Sequence, residues 1–156
     1  MENLFTPESV VADLNVASQK QLFQDMAQRL IAANRLEGLV CRDIVAAAIE
    51  RERLGSTGVG NGVALPHARI KGLDRVIAGF ARLDTPLEFD SVDERPVDLI
   101  VFLLAPSDAA GAHLRALARV SRQLRREENR ARLRSAPDAQ SLYHILADED
   151  IQANAA

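Results

Sequence analysis

The run Val97-Asp98-Leu99-Ile100-Val101-Phe102-Leu103-Leu104-Ala105 restricts the architecture more than any other stretch of the chain. From Leu99 onward it is apolar without interruption, and it stops at Pro106-Ser107-Asp108. A strand with one face in water alternates apolar and polar residues, whereas a continuous apolar strand is covered on both faces. The run therefore predicts a central strand with helices on both sides of its sheet. It is far shorter than the ~20 residues a membrane-spanning helix needs.

The flanking patterns agree with an α/β domain built on a mixed sheet. Ser18 opens a helix whose Leu22, Phe23, Met26, Ala27, Leu30 and Ile31 form one apolar stripe, with Gln21 completing a capping-box pattern. Before it, Thr6 to Leu14 reads as a turn-like segment starting with Thr6-Pro7-Glu8. Asp43 is the expected cap of a second helix, and Gly55 its expected left-handed terminator. Short strands are predicted at Val63–Leu65 and Val76–Leu83, with local pairing at Leu87–Phe89. A helix from about Ala110 carries His113, Leu114, Leu117, Val120 and Leu124, with Arg115, Arg119, Arg122 and Arg126 on its other side. A last short helix surrounds Leu142, and the end of the chain should fray.

With 156 residues, 47% apolar and 26% charged, the chain reads as a single domain over its whole length, with a core at about 4–147 and a flexible tail at 148–156. The net charge of −3 gives no global field toward nucleic acid or an anionic membrane. One cysteine, Cys41, excludes an internal disulfide and suits a reducing compartment. The start, Met-Glu-Asn-Leu-Phe, lacks a signal-peptide pattern, so a cytoplasmic location is expected.

Chemistry concentrates in Gly55-Ser56-Thr57-Gly58-Val59-Gly60-Asn61-Gly62-Val63-Ala64-Leu65-Pro66-His67-Ala68-Arg69, which holds four of the eight glycines. It has no Gly-Lys-Ser/Thr, and its glycines follow a helix without the dinucleotide spacing, so neither nucleotide fingerprint fits. The three histidines are too widely separated, and too far from acidic residues or cysteine, for a metal motif. Cys41 has no recognisable nucleophile motif around it.

His67 lies where loops of open α/β sheets collect ligands, and Pro66 stiffens the backbone before it. Near neutral pH an imidazole can accept and return a phosphoryl group. Such transfer needs cations or N–H groups around the phosphoryl oxygens and little else. Arg69 and the amides of Gly60, Asn61 and Gly62 are candidates for that task. Arg51 sits seven residues after Ile44, on the apolar face of its helix and aimed at the loop. A surface arginine at the helix dipole is the other reading of Arg51, and a structural imidazole the other reading of His67. His113 would face His67 if the two strands before them end on the same rim; otherwise it covers a helix edge. His144 reads as a surface residue.

The run Arg51-Glu52-Arg53-Leu54-Gly55 continuing to Pro66-His67 is supported by Thr85-Pro86-Leu87-Glu88-Phe89-Asp90, Pro96-Val97-Asp98-Leu99 and Ala112-His113-Leu114-Arg115-Ala116-Leu117. Together these segments resemble the IIA proteins of the bacterial phosphotransferase system, in the fructose/mannitol superfamily and its nitrogen-regulatory branch. The resemblance runs from about Leu4 to Ala147. It implies an α/β sandwich around a mixed sheet, with His67 as phosphoryl acceptor at Nε2 and His113 and Arg51 beside it. It implies a phosphohistidine phosphotransferase component, used stoichiometrically. The donor would be a small histidine-containing carrier protein charged from phosphoenolpyruvate by an enzyme I. Regulatory targets such as transporters or kinases would read the phosphorylation state. No nucleotide, metal or other cofactor and no membrane insertion is implied. Pro66-His67-Ala68-Arg69 departs from the Pro-His-Gly-Lys common in such proteins, keeping the charge but not the glycine. A sugar-specific fructose/mannitol-type IIA component is the alternative within the family.

The alternative from outside it is a nucleic-acid-binding module. From Ala112 to Arg134 eight arginines face only Glu127 and Glu128. An arginine-rich helix can track phosphates, but this one has no interleaved aromatics. A solvated face is the expectation. Asp84, Glu88, Asp90, Asp93, Glu94 and Asp98 form an opposing acidic patch suited to transient protein encounters.

Overall fold

The computed structural model describes residues 4–155, and side chains up to residue 148. Its elements are β1 (Val10–Leu14), α1 (Gln19–Ala33), α2 (Cys41–Leu54), β2 (Gly58–Gly60), β3 (Val63–Ala64), β4 (His67–Ile70), β5 (Ile77–Leu87), β6 (Val97–Pro106), α3 (Ala110–Arg125), α4 (Glu127–Ser135) and α5 (Ala139–Ala155). The six strands form one mixed sheet in the order β1-β5-β6-β3-β2, with β4 also on β6. β6 is antiparallel to β5 and parallel to both β3 and β4.

The apolar run is the central strand, and its residues divide between two cores. Ile100, Phe102 and Leu104 pack with Leu22, Phe23, Met26 and Leu30 of α1 and Ile44 and Ala48 of α2. Leu99, Val101 and Leu103 pack on the other face with Val120 and Leu124 of α3, Leu133 of α4 and Leu142 of α5. Both sets are at most 1% exposed along β6. Phe102 stacks on Phe23 with ring centroids 5.6 Å apart. Two buried faces thus account for the missing alternation.

Several local expectations are corrected. Only Pro7–Ser9 of the segment Thr6–Leu14 is turned; Val10–Leu14 is β1, parallel to β5. Ser18 does cap α1, accepting from the Gln21 amide at 3.1 Å, but the Gln21 side chain returns to the Ala17 amide. α2 begins at Cys41 without a side-chain cap, and Asp43 sits in its first turn, where a carboxylate suits the helix dipole. Gly55 leaves the helix extended, at φ 160°, rather than left-handed. Glu52 links that end onward instead, its carboxylate accepting from Thr57 N (2.8 Å) and Thr57 Oγ1 (2.6 Å).

The arginine-rich segment is two helices. The chain turns extended at Arg126, and Arg130 donates from Nη1 to the Leu124 and Arg125 carbonyls at 3.0 and 2.7 Å. Arg119 and Arg130 are buried, so the face is not the uniformly solvated one expected. Arg82 of β5 is buried too. Its Nη1 donates to the carbonyls of Leu133 (2.9 Å) and Ala136 (2.6 Å), and its Nη2 to Asp13 at 3.2 Å. The last helix reaches Ala155, beyond the short one expected, and the expected flexible tail falls mainly on side chains outside the described residues.

Candidate functional site

His67 opens β4 and pairs in register with Leu103 of β6. Pro66 has no amide hydrogen, so it cannot donate to β6, but its carbonyl accepts from Leu103 N at 3.0 Å. The chain is thereby held against the central strand immediately before the imidazole. The ring then folds back on its own backbone: Nδ1 lies 2.8 Å from the Leu65 carbonyl. A carbonyl can only accept, so Nδ1 carries the proton and Nε2 keeps a free lone pair. The Arg51 Nε donates to that lone pair at 3.2 Å. Arg51 is itself steered by Nη1, which donates to the Gly55 carbonyl at 2.8 Å.

His113 enters from the other side, on the first turn of α3. Its ring meets that of His67 edge-on, with centroids 5.0 Å apart and planes at 70°. The condition set by the sequence is not the one that brings them together: the strand before His67, β3, meets β6 at Leu99 and Ile100, and it is β4, opened by His67, that lies beside the end of β6. His113 is 8% exposed, and its Nε2 is shut away from solvent without a hydrogen-bond partner. Arg69 is exposed two residues along β4 and raises the positive potential at His113.

Both imidazoles are held neutral. Burial is the main force lowering the His67 pKa; Arg51 adds to it, while the Leu65 carbonyl and Glu52 oppose it. Burial, then the neighbouring His67 and Arg69, bring His113 down to about 4. Because the fold favours the neutral ring, His113 contributes stability above its unfolded pKa, ~6.5. That contribution is lost as pH falls from there toward about 4. In this window the extra dependence approaches ~1.4 kcal/mol per pH unit for one proton. A Tm-against-pH series should be steeper for the natural chain than for His113→Gln; parallel curves would refute the buried neutral ring.

These groups line an open cleft of about 520 Å³ with Ala47, Glu50, Leu54, Ala68, Ala110, Leu114 and Leu117. The cleft thus collects Arg51, His67, Arg69 and His113. It does not collect Gly60, Asn61 or Gly62. β3 meets β6 at Leu99 and β4 meets it at Leu103, so the glycine turn lies roughly 13 Å or more along the sheet from His67. Positive φ at Gly60, Asn61 and Gly62 makes that turn, and the Asn61 amide donates to Asp93 rather than facing the cleft. Arg134 pins it from outside, donating to the Asn61 carbonyl (2.6 Å) and pairing with Asp98. The expectation that these amides hold phosphoryl oxygens is corrected by this geometry. The first turn of α3, whose Ala110 and His113 line the cleft, has no side-chain cap for its opening amides.

Leu54 and Leu114 stand exposed at the cleft mouth, 79% and 67% accessible. Leu54 was not singled out from the sequence, although its place four residues after Glu50 and three after Arg51 puts it on the same helical face. The Leu65 carbonyl had no sequence signal, since it depends on how the backbone turns at Pro66. Cys41 and His144 are not part of the cleft. Among the described residues no His/Cys/Asp/Glu group has the arrangement of a metal site, and no helix is long and apolar enough to cross a membrane.

The family model described as "Phosphoenolpyruvate-dependent sugar phosphotransferase system, EIIA 2" matches residues 3–149. A nitrogen regulatory protein of Bradyrhizobium diazoefficiens is 43% identical over 145 residues, 93% of each chain. One from Pseudomonas aeruginosa is 38% identical over 95% of each. The crystal structure of nitrogen regulatory protein IIA-Ntr from Neisseria meningitidis superposes with a TM-score of 0.84 at 34% identity, covering 92% of this chain and 96% of that one. The mannitol IIA of Escherichia coli, at 19% identity and a TM-score of 0.72, shares the fold. A match of this extent, over the same fold, leaves one conclusion: the chain belongs to the EIIA 2 family of the phosphoenolpyruvate-dependent sugar phosphotransferase system.

Proposed function

We propose that the protein is a nitrogen-type phosphocarrier that accepts a phosphoryl group on Nε2 of His67 and signals through its phosphorylation state. The observation that carries the reading is the bond between Nδ1 and the Leu65 carbonyl, which fixes the tautomer and leaves Nε2 nucleophilic in an open cleft. The donor is a phosphohistidine on a small carrier protein. Its N–P bond breaks as Nε2 attacks in line, and the electron pair returns to the donor imidazole. Arg51 gives up its bond to Nε2 and turns to the phosphoryl oxygens, which the first amides of α3 also face. Leu54 and Leu114 offer the carrier an apolar rim around the reacting atoms. Full-length nitrogen regulatory relatives favour this branch over a sugar-specific component. The nucleic-acid reading is weakened, because Arg119 and Arg130 are buried and Arg134 is bound to Asp98.

Incubation with labelled phosphoenolpyruvate, enzyme I and the carrier tests the reading, with transfer to a sugar IIB component as a second acceptor assay. For Arg51→Gln the initial labelling rate should fall about 100-fold, the usual loss for one transition-state donor. Arg51→Lys should recover only part of it, since a point charge replaces a fork. A rate unchanged in Arg51→Gln would remove Arg51 from the mechanism.

A further inference from the structure

We propose that phosphorylation of His67 is coupled to the uptake of one proton from solvent by His113, so that the phosphorylated cleft holds an imidazolium beside the phosphoryl group. The inference rests on His67 being the acceptor and goes beyond it.

The unphosphorylated cleft is arranged to keep His113 uncharged. Its ring lies 5.0 Å from that of His67, and Arg69 on β4 adds positive potential. Arg51 on α2 lines the same cleft, and Glu50 is the carboxylate on that wall. Near this end β6 presents only apolar side chains to the two cores. Arg115 on α3 and Asp108 before it are both exposed. Against this mostly cationic surround, Nε2 of His113 is enclosed and has no partner. Buried nitrogens are almost always paired, so an orphan in a cleft wall suits a second state that supplies its acceptor.

A phosphoryl group on Nε2 of His67 is such an acceptor. It brings nearly two negative charges and three oxygens into contact range of the second ring. The sign of the dominant neighbour then reverses, from groups that repel a proton on His113 to one that attracts it. Transfer itself moves no proton: the donor N–P bond breaks, the Nε2–P bond forms, and the proton stays on His67 Nδ1, donated to the Leu65 carbonyl. The proton taken up by His113 comes from water and leaves again when the phosphoryl group departs. His113 is thus a charge-compensating group that touches the phosphoryl oxygens in the loaded state only.

Ring-nitrogen NMR of uniformly ¹⁵N-labelled full-length protein tests this, before and after phosphorylation by phosphoenolpyruvate, enzyme I and the carrier. His113 should show the neutral pattern at pH 6 to 8 in the free protein and both ring nitrogens protonated in the phosphorylated one. A neutral His113 next to a phosphorylated His67 would overturn the coupling while leaving the acceptor assignment intact. Absence of phosphorus on His67 would overturn both. In a second measurement, the equilibrium of transfer from the carrier is followed against pH for the natural chain and His113→Gln. Their ratio should change tenfold per pH unit where one proton is taken up. A pH-independent ratio would refute the proposal.

Discussion

His67→Ala should reduce the acid-labile, alkali-stable phosphoryl label to background, the largest functional effect expected of any single replacement in this chain. No other group in the cleft can take the role. His113 has its Nε2 enclosed and is surrounded by cationic neighbours, while Arg51 and Arg69 are not phosphoryl nucleophiles. The replacement should leave the fold in place, because the His67 side chain is only partly buried and β4 is held to β6 through backbone bonds. Loss of label with an unchanged circular dichroism spectrum and Tm is the expected pair of results. Label persisting in His67→Ala would place the acceptor elsewhere and undo the reading of the cleft.

A large effect on stability is expected at Arg82. Its guanidinium is buried between β5 and the end of α4, where Leu133 and Ala136 offer it two carbonyls. Arg82→Met keeps much of the apolar stem but leaves those carbonyls without a donor. Losing charged hydrogen bonds and stranding buried acceptors should cost about 3 kcal/mol. For a domain of this size that lowers Tm by about 9 °C in calorimetry. The ion pair with Asp13 is a minor part, since that carboxylate is 68% exposed. Asp13→Asn should therefore shift stability by less than ~1 kcal/mol. Equal losses for both variants would mean that the ion pair from β5 to β1, not the carbonyl cage at the end of α4, carries the contribution of Arg82. Labelling of His67 should survive in Arg82→Met below its Tm, since Arg82 is not among the residues of the cleft.

The parts of the fold that sequence revealed are those whose signal is contained within one element. β6 announced itself because both of its faces are buried, and α1 because its stripe is continuous from Leu22 to Leu30. β1, β2 and β4 did not, since each is short; β1 and β4 exist through pairing with a distant strand, and β2 only through a tight turn onto the two-residue β3. The cleft was legible to the same degree. Arg51, His67 and His113 could be brought together from helical spacing, the end of the central strand and the family resemblance. The glycines misled because the same positive-φ residues serve a phosphate loop or an ordinary turn, and only the register against β6 separates the two. Arg82 was invisible as an interior residue because its acceptors come from elsewhere in the chain, and Arg130 because its acceptors are presented only where the backbone turns extended at Arg126.

The attachment of His67 to β6 carries one more consequence. β6 is covered on both faces and flanked by other strands, so its amides belong to the part of the molecule that opens last. A histidine fastened there has no soft hinge beneath it. Chemical change at this imidazole is therefore displayed as altered charge on an almost unaltered surface. A partner that distinguishes the two forms must do so with its own electrostatics at the cleft mouth, and its discrimination should weaken as salt is added.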